Sequence, residues 1–294
     1  MKRMLANVLR LTKKCFDTVL FCISKKPQVY TIDQTLDYIQ LNHSSVSRFG
    51  DGEFLMILGH GNGFQPYAKA LADRLKEVLN SNLDGHIVCI SDIWGDLSFM
   101  KDQSIAFNRK YLRTHGYAVL KTIDCSRNYF NTFFTRPYDM FADKSQSVSW
   151  FEKNKQIWDS KRILIVEGEK SRLGVGNDLF DNASGVERML CPSRNAFEKY
   201  DEILEGAMRY GKDRLILIAL GMTATVLAYD LAQRGFWAVD IGHIDIEYEW
   251  FLKKADEKIK IGGKYTNEVA GGSVVDDDTI DLNAYEKEIV HQIL

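Results

Sequence analysis

Six short apolar runs punctuate the chain from residue 86 onward: "HIVCISDIW" (86–94), "YAVLKTID" (117–124), "RILIVEGE" (162–169), "RMLCPS" (188–193), "RLILIALG" (214–221) and "WAVDIGHID" (237–245). Most are apolar at consecutive positions, the mark of strands covered on both faces. The stretches 101–115, 196–210 and 223–234 between them have the apolar spacing and length of helices. Alternation of this kind predicts an α/β class, a parallel sheet flanked by helices and joined by right-handed crossovers.

Ahead of this region, "YTIDQTLDYIQLN" and "PYAKALADRLKEVLNSN" read as helices, with Gly59, Gly61 and Gly63 in the loop between Phe54 and Tyr67. The aromatic, polar segment 125–160 is expected to be helical. The tail "IGGKYTNEVAGGSVVDDDTIDLN" reads as a Gly- and Asp-rich loop before a short terminal helix. With no internal repeat and no linker, residues 27–294 are expected to form one α/β domain.

Residues 1–26 stand apart. Lys2, Arg3, Arg10, Lys13, Lys14, Lys25 and Lys26 face only Asp17, and Leu5, Val8, Leu9, Phe16, Val19 and Leu20 recur at near-helical spacing. Basic residues interrupt the apolar stretch and no small-residue cleavage site follows, which argues against a cleaved signal peptide. The expectation is an amphipathic helix packed on the domain or on a partner, with peripheral contact on an anionic membrane surface as the alternative.

A formal net charge of −2 over 294 residues disfavours nucleic-acid binding through a global positive field. The five cysteines, at 15, 22, 89, 125 and 191, are odd in number and lack CxxC spacing. They suit reduced thiols in a cytoplasmic protein, not a disulfide framework or zinc site. No apolar run nears the roughly 18 residues that span a bilayer.

In a parallel α/β sheet, ligands gather at the carboxyl ends of the strands. Here those ends are polar. "VEGEKSRLGVGNDLF" offers Gly168, Ser171, Arg172 and Asn177 to a diphosphate, without a dinucleotide fingerprint or a Walker A lysine. "ALGMTATVLAYD" is a strand–Gly–helix transition in which Thr223 can cap the helix. "CPSRNAFEKYDEIL" offers Ser193 or Asn195 as a cap. In "DIGHIDIEYEW", an extended chain would put His243, Asp245 and Glu247 on one face, as metal ligand, general base or sugar contacts.

"SVSRFGDGEF" is the sharpest stretch. Asp51 and Glu53 either side of Gly52 place two hard oxygen ligands together on an extended segment or turn, suiting Mg²⁺ or Mn²⁺. Gly52 leaves room for a phosphate, and a cation would relieve its repulsion by the carboxylates. Arg48 is alternatively a salt-bridge partner for one of the two.

Together, "RFGDGEF", "TRPY", "VEGEKSRLGVGNDLF", "CPSRNAFEKYDEIL", "LIALGMTATVLAYDLAQRGFWAVDIGHIDIEYEWF" and "KYTNEV" resemble the GT-D-fold glycosyltransferases, bacterial enzymes of cell-surface polysaccharide and glycoprotein assembly, in the same order from about residue 30 to 270. The resemblance implies a Rossmann-like GT-D domain, a UDP-sugar donor carrying a hexose such as glucose, a glycan or glycoprotein acceptor, and a divalent metal, typically Mn²⁺. It implies metal binding at Asp51 and Glu53 as a DxE motif. It implies donor contacts at Arg48, Gly50, Gly168, Ser171, Arg172, Asn177, Ser193, Asn195 and the loop Gly221, Thr223, Ala224. Met222 departs from the proline expected there. The basic extension lies outside the resemblance. The rival readings are a nucleotide-binding Rossmann-like enzyme of another class and a non-catalytic partner in a surface-assembly complex.

Overall fold

The computed structural model describes residues 16–209, 213–275 and 282–294. Nine parallel strands among them form one sheet: β1 (Gln28–Val29), β2 (Ser45–Phe49), β3 (His86–Ile90), β4 (Asn128–Asn131), β5 (Arg162–Gly168), β6 (Gly185–Cys191), β7 (Leu215–Ala219), β8 (Trp237–Asp240) and β9 (Ile289–Gln292), in the order β1-β4-β3-β2-β8-β7-β5-β6-β9. The predicted α/β class with a parallel sheet is what the chain forms. Alternate residues of the central strands enter opposite layers. Ile163, Ile165, Leu215 and Leu217 join one apolar cluster, and Leu164, Val166, Ile216 and Ile218 the other. Two covered faces explain why these runs are apolar at every position.

β2 is the exception, a buried central strand that carries Ser45, Ser47 and Arg48. It meets β8 through a single register pair, Val46 with Val239. Side chains supply the remaining stitching. Ser45 Oγ accepts from Ala238 N (3.0 Å), and Ser47 Oγ donates to Thr225 O (2.6 Å) in the helix Met222–Gln233. Chain connections leave β2 and β8 in opposite directions, so a crevice opens above their carboxyl ends.

Two expectations are corrected. Residues 117–124 are not a strand: Tyr117–Leu120 complete the helix Asp102–Leu120, and the strand of this region is β4. Val119 and Leu120 are buried in the larger apolar cluster, and burial on a helix mimics a short apolar strand run. The segment 125–160 is only partly helical, with β4 ahead of the helix Ser147–Trp158. The terminal helix, Asn283–Glu288, is followed by an unforeseen edge strand, β9.

Most of the basic extension, residues 1–15, lies outside the described residues. Residues 16–23 are helical. Phe21 lies against Gly116, where an added Cβ would stand 2.7 Å from the ring, while Phe16, Val19 and Ile23 are exposed. Among the described residues no helix is long and apolar enough to cross a membrane.

Candidate functional site at the sheet switch point

The loops above the β2–β8 junction enclose a cavity of about 830 Å³, the size of a site for a cofactor or sugar nucleotide. Of the residues singled out in the sequence, Arg48, Gly50, Asp51, Glu53, Gly168, Ser171, Ser193, Gly221, His243, Asp245 and Glu247 line it. Arg172, Asn177, Asn195, Thr223 and Ala224 do not.

Asp51 and Glu53 do not lie on an extended segment. They open the helix Asp51–Ile57, with Gly50 as its N-cap. Glu53 turns back so that Oε2 accepts the Gly50 N–H (2.8 Å), half of a capping box. Burial pushes its carboxyl up to about 7; the Asp240 charge adds to this, while the Gly50 hydrogen bond and Arg48 oppose it. Asp51 is exposed, and among the described residues no hydrogen bond or ion pair engages its carboxylate.

Arg48 pairs with neither of them. Its Nη2 donates to Asp240 Oδ1 (2.9 Å), Nε to Asp240 O (2.9 Å) and Nη1 to Thr135 Oγ1 (2.8 Å). The guanidinium thus clamps the ends of β2 and β8 and the turn after β4 into one floor. Gly242 is shaped around it: φ is +46°, and an added Cβ would stand 1.8 Å from Arg48 Nη2.

The stretch 243–247 is corrected most. Ile244–Leu252 is a helix with His243 as its N-cap, so helical spacing replaces strand alternation. Asp245 shares a helix face with Glu249, and His243 with Glu247. Asp245 is tied down: Lys264 Nζ donates to both its oxygens (2.9 and 2.8 Å), and Gly174 N and Asn177 Nδ2 donate to Oδ1. Asn177 also donates to Glu249 Oε1 (2.7 Å), so its amide is committed to this lock. With three donor groups making four hydrogen bonds to it, Asp245 is a structural anchor.

His243 Nδ1 accepts from Arg136 Nη2 (3.2 Å), which places the ring proton on Nε2 because a guanidinium can only donate. Burial, with the Arg136 and Arg48 charges, pushes the imidazole down to about 4 against the pull of Glu268. It is neutral near pH 7. Glu247 Oε2 accepts from Tyr138 N (3.2 Å) and Asp139 N (2.8 Å). Burial raises this carboxyl to about 7, with Arg136 opposing. Arg136 also forks onto both oxygens of Glu268. Burial works against the charge of Glu268, but Arg136, His243 and Lys258 outweigh it and hold the carboxyl well below the usual range.

On the other half of the sheet, the polar strand ends are framed by backbone. Gly221 (φ +54°) caps the helix Met222–Gln233 without any side-chain cap, and an added Cβ would stand 2.2 Å from Phe64. Thr223 does not cap: its Oγ1 is buried and finds no partner, and the Ala224 N–H is spent on Gly221 O (2.9 Å). Asn195 Oδ1 accepts from Gln65 Nε2 (2.6 Å), and Asn195 N donates to Phe64 O (3.0 Å), so Asn195 braces the 60–66 loop. Arg172 is buried and donates to Gly263 O (2.9 Å), tying the 168–174 loop to the tail. Buried Glu167 holds the same loop from below, accepting from Leu173 N (2.8 Å) and Arg188 Nη1 (2.7 Å).

Arg136, Lys264 and Glu268 were not anticipated as site residues. Lone charges in loops give no local signal; only the resemblance blocks "TRPY" and "KYTNEV" contain them. Among the described residues no three His, Cys, Asp or Glu side chains gather as a metal cage.

The family model of the GT-D glycosyltransferase fold matches residues 46–269. The chain is 43% identical over 263 residues to a probable glycosyl transferase, Gly, of Streptococcus gordonii, and 40% identical over 295 residues to the glycosyltransferase GlyD of Streptococcus pneumoniae serotype 4. These alignments take in 89% and 100% of this chain but only 38% and 35% of the relatives, so the chain spans little more than a third of their length. A solved structure described as a new glycosyltransferase (DUF1792) from Streptococcus sanguinis superposes with a TM-score of 0.87 at 39% identity, covering 92% of this chain and all of that one. This chain belongs to the GT-D family, the glycosyltransferase fold first known as domain of unknown function 1792.

Proposed function

We propose that the chain transfers a sugar, a hexose such as glucose, from a UDP-sugar to a hydroxyl of a cell-surface glycan or glycoprotein, with Mn²⁺ or Mg²⁺ at Asp51 and Glu53. The observation that carries this is the state of the two carboxylates at the switch point. Asp51 makes no hydrogen bond or ion pair among the described residues, and Glu53, lining the same cavity, spends Oε2 on the Gly50 N–H. A hard dication that takes one or two carboxylates and fills its remaining positions from phosphates and water fits this donor set without a protein cage. Such an ion would supply charge stabilisation to the departing diphosphate.

The chain's own groups do the rest. The diphosphate lies against the glycine-framed loops, where Ser171, Ser193 and the backbone at Gly168 and Gly221 donate to its oxygens. Arg48 stays fixed on Asp240 and offers the site a positive field. Glu247 is the group suited to take the acceptor proton: it lines the cavity, and burial raises its carboxyl to about 7. Asp245 is committed to Lys264, Gly174 and Asn177, and the His243 lone pair is occupied by Arg136.

The test is a thermal-shift panel of UDP-, GDP- and TDP-sugars, each with and without Mn²⁺. The expected result is stabilisation by a UDP-sugar that grows with Mn²⁺ and disappears in Asp51→Ala. Equal stabilisation in EDTA would remove the metal from this reading, and stabilisation by none of the nucleotides would remove the donor.

A further inference from the structure

The cavity does not end at the carboxylates. It continues over the β3–β4 half of the sheet, where the helix Asp102–Leu120 sends Gln103, Ser104, Phe107 and Asn108 into it. Positions i, i+1, i+4 and i+5 make one stripe of a helix. Phe107 is 56% exposed although it lines a concave wall. Its neighbours on the stripe are polar, so the ring is not part of a contiguous apolar patch for a protein partner.

Thr132, which lines the same cavity, follows the end of β4. It is 4% exposed, lines the cavity, and its Oγ1 has no hydrogen-bond partner. A buried hydroxyl left unmet is costly and rare, and Thr132 is one of the residues that line the cavity. Asn108 is 9% exposed, and its Nδ2 is already spent on Ser104 O (2.9 Å) and Met100 Sδ (3.3 Å), leaving the amide oxygen to accept. An aromatic face beside one unmet hydroxyl and one free amide oxygen suits a ring with an apolar flank and hydroxyls at its edge. A pyranose has both.

We propose that this stripe is the acceptor subsite, with Phe107 stacking on the ring of an acceptor sugar while Thr132 Oγ1 and Asn108 Oδ1 bind its hydroxyls. The assignment rests on the glycosyl-transfer reading and extends it. The glycine-framed loops lie over the β5–β7 half and the stripe over the β3–β4 half, so donor and acceptor meet above Asp51 and Glu53 from opposite sides. Phe107 is then a specificity residue that touches the acceptor alone.

The experiment compares wild type, Phe107→Ala, Phe107→Trp and Thr132→Val in two assays. One follows hydrolysis of UDP-glucose, UDP-galactose and UDP-N-acetylglucosamine, which reads only the donor half. The other follows transfer to the methyl β-glycosides of glucose, galactose and N-acetylglucosamine. Phe107→Ala should leave hydrolysis within twofold of wild type and raise the acceptor KM about tenfold. Phe107→Trp should keep KM near the wild-type value, and Thr132→Val should weaken transfer severalfold to glycosides bearing the hydroxyl it reads. An unchanged acceptor KM in Phe107→Ala overturns the subsite, as does wild-type hydrolysis with transfer to none of the glycosides. Absence of hydrolysis with every UDP-sugar strikes instead at the glycosyl-transfer reading beneath it.

Discussion

Lys264 Nζ lies 2.8 Å from Asp245 Oδ2 and 3.0 Å from Glu249 Oε1, with the Lys264 and Asp245 side chains 1% and 2% exposed. One buried cation therefore joins the tail loop to the helix Ile244–Leu252, and through Asp245 to Gly174 and Asn177. The same tail carries Tyr265, Asn267 and Glu268 into the cavity. Removing one member of a buried ion pair leaves the other charge uncompensated, at a cost of about 3–5 kcal/mol. Lys264→Met is expected to lose stability of that order in urea titration, and to raise amide exchange across 261–272 and 172–178 together. Exchange confined to the tail would mean that the two loops are not coupled through this lysine.

Gly242 and Arg48 make the second prediction. A side chain at 242 must enter space held by the guanidinium and adopt a φ of +46°. Gly242→Ala should displace Arg48 from Asp240 and weaken UDP-sugar binding, beyond the ~1–2 kcal/mol that a left-handed alanine costs by itself. Gly59→Ala is the control. Its φ is +93° with nothing within 4 Å of the added Cβ, so it pays strain alone. Equal loss of Tm and equal donor affinity in the two variants would show that Arg48 tolerates displacement.

The sheet was legible because β5, β7 and β8 are covered on both faces and therefore apolar at consecutive positions. β2 was not read as a strand, since its serines and arginine make bonds to partners more than 170 residues away that no local pattern can show. The stretch 243–247 was misread for a sharper reason. Alternating Ile and acidic residues satisfy period 2, but Ile244, Asp245, Ile246 and Glu247 are all buried, so the helix is wrapped by protein on every side and has no polar face to reveal its period. The acidic pair at 51 and 53 stood out because its type and spacing carry chemical meaning without any fold. Arg136 and Lys264 carry none until the tail closes beside them.

His86 gives a pH prediction remote from the cavity. Its Nε2 contacts Ser47 Oγ (2.9 Å), and that hydroxyl already donates to Thr225 O, so Nε2 must carry the proton. Nδ1 is buried without a partner. A second proton there would have no acceptor, and burial, with the Arg127 charge, pushes the imidazole down to about 3. The folded value lies below the unfolded one, so the unfolded chain binds the extra proton first. Stability is full above pH ~6.5 and falls as pH drops toward 3, by at most ~1.4 kcal/mol per unit. His86→Gln keeps a donor for Ser47 and cannot titrate. The difference in unfolding free energy between wild type and variant should narrow steadily from pH 7 to pH 4.5 in the variant's favour; a constant difference would mean that His86 takes up its proton as readily in the fold as in the unfolded chain.

The acidic pair separates charge from architecture. Asp51 is exposed and makes no hydrogen bond or ion pair among the described residues, so Asp51→Ala should keep its stability within ~0.5 kcal/mol of wild type. Glu53 has a second duty as acceptor for the Gly50 N–H. Glu53→Gln can still accept through its amide oxygen and should preserve the helix start, whereas Glu53→Ala should lose about 1 kcal/mol with the cap. If the carboxylates hold a dication on the diphosphate, all three variants should lose turnover by 10²-fold or more, whatever their stability. The electrostatic contribution of such an ion would be several kcal/mol at about 4 Å from the charge it stabilises. The decisive comparison is Glu53→Gln against Glu53→Ala. Equal loss of activity with unequal stability assigns Glu53 to the metal. Activity that tracks stability through the pair would leave Glu53 as a helix cap, with Asp51 alone facing the donor.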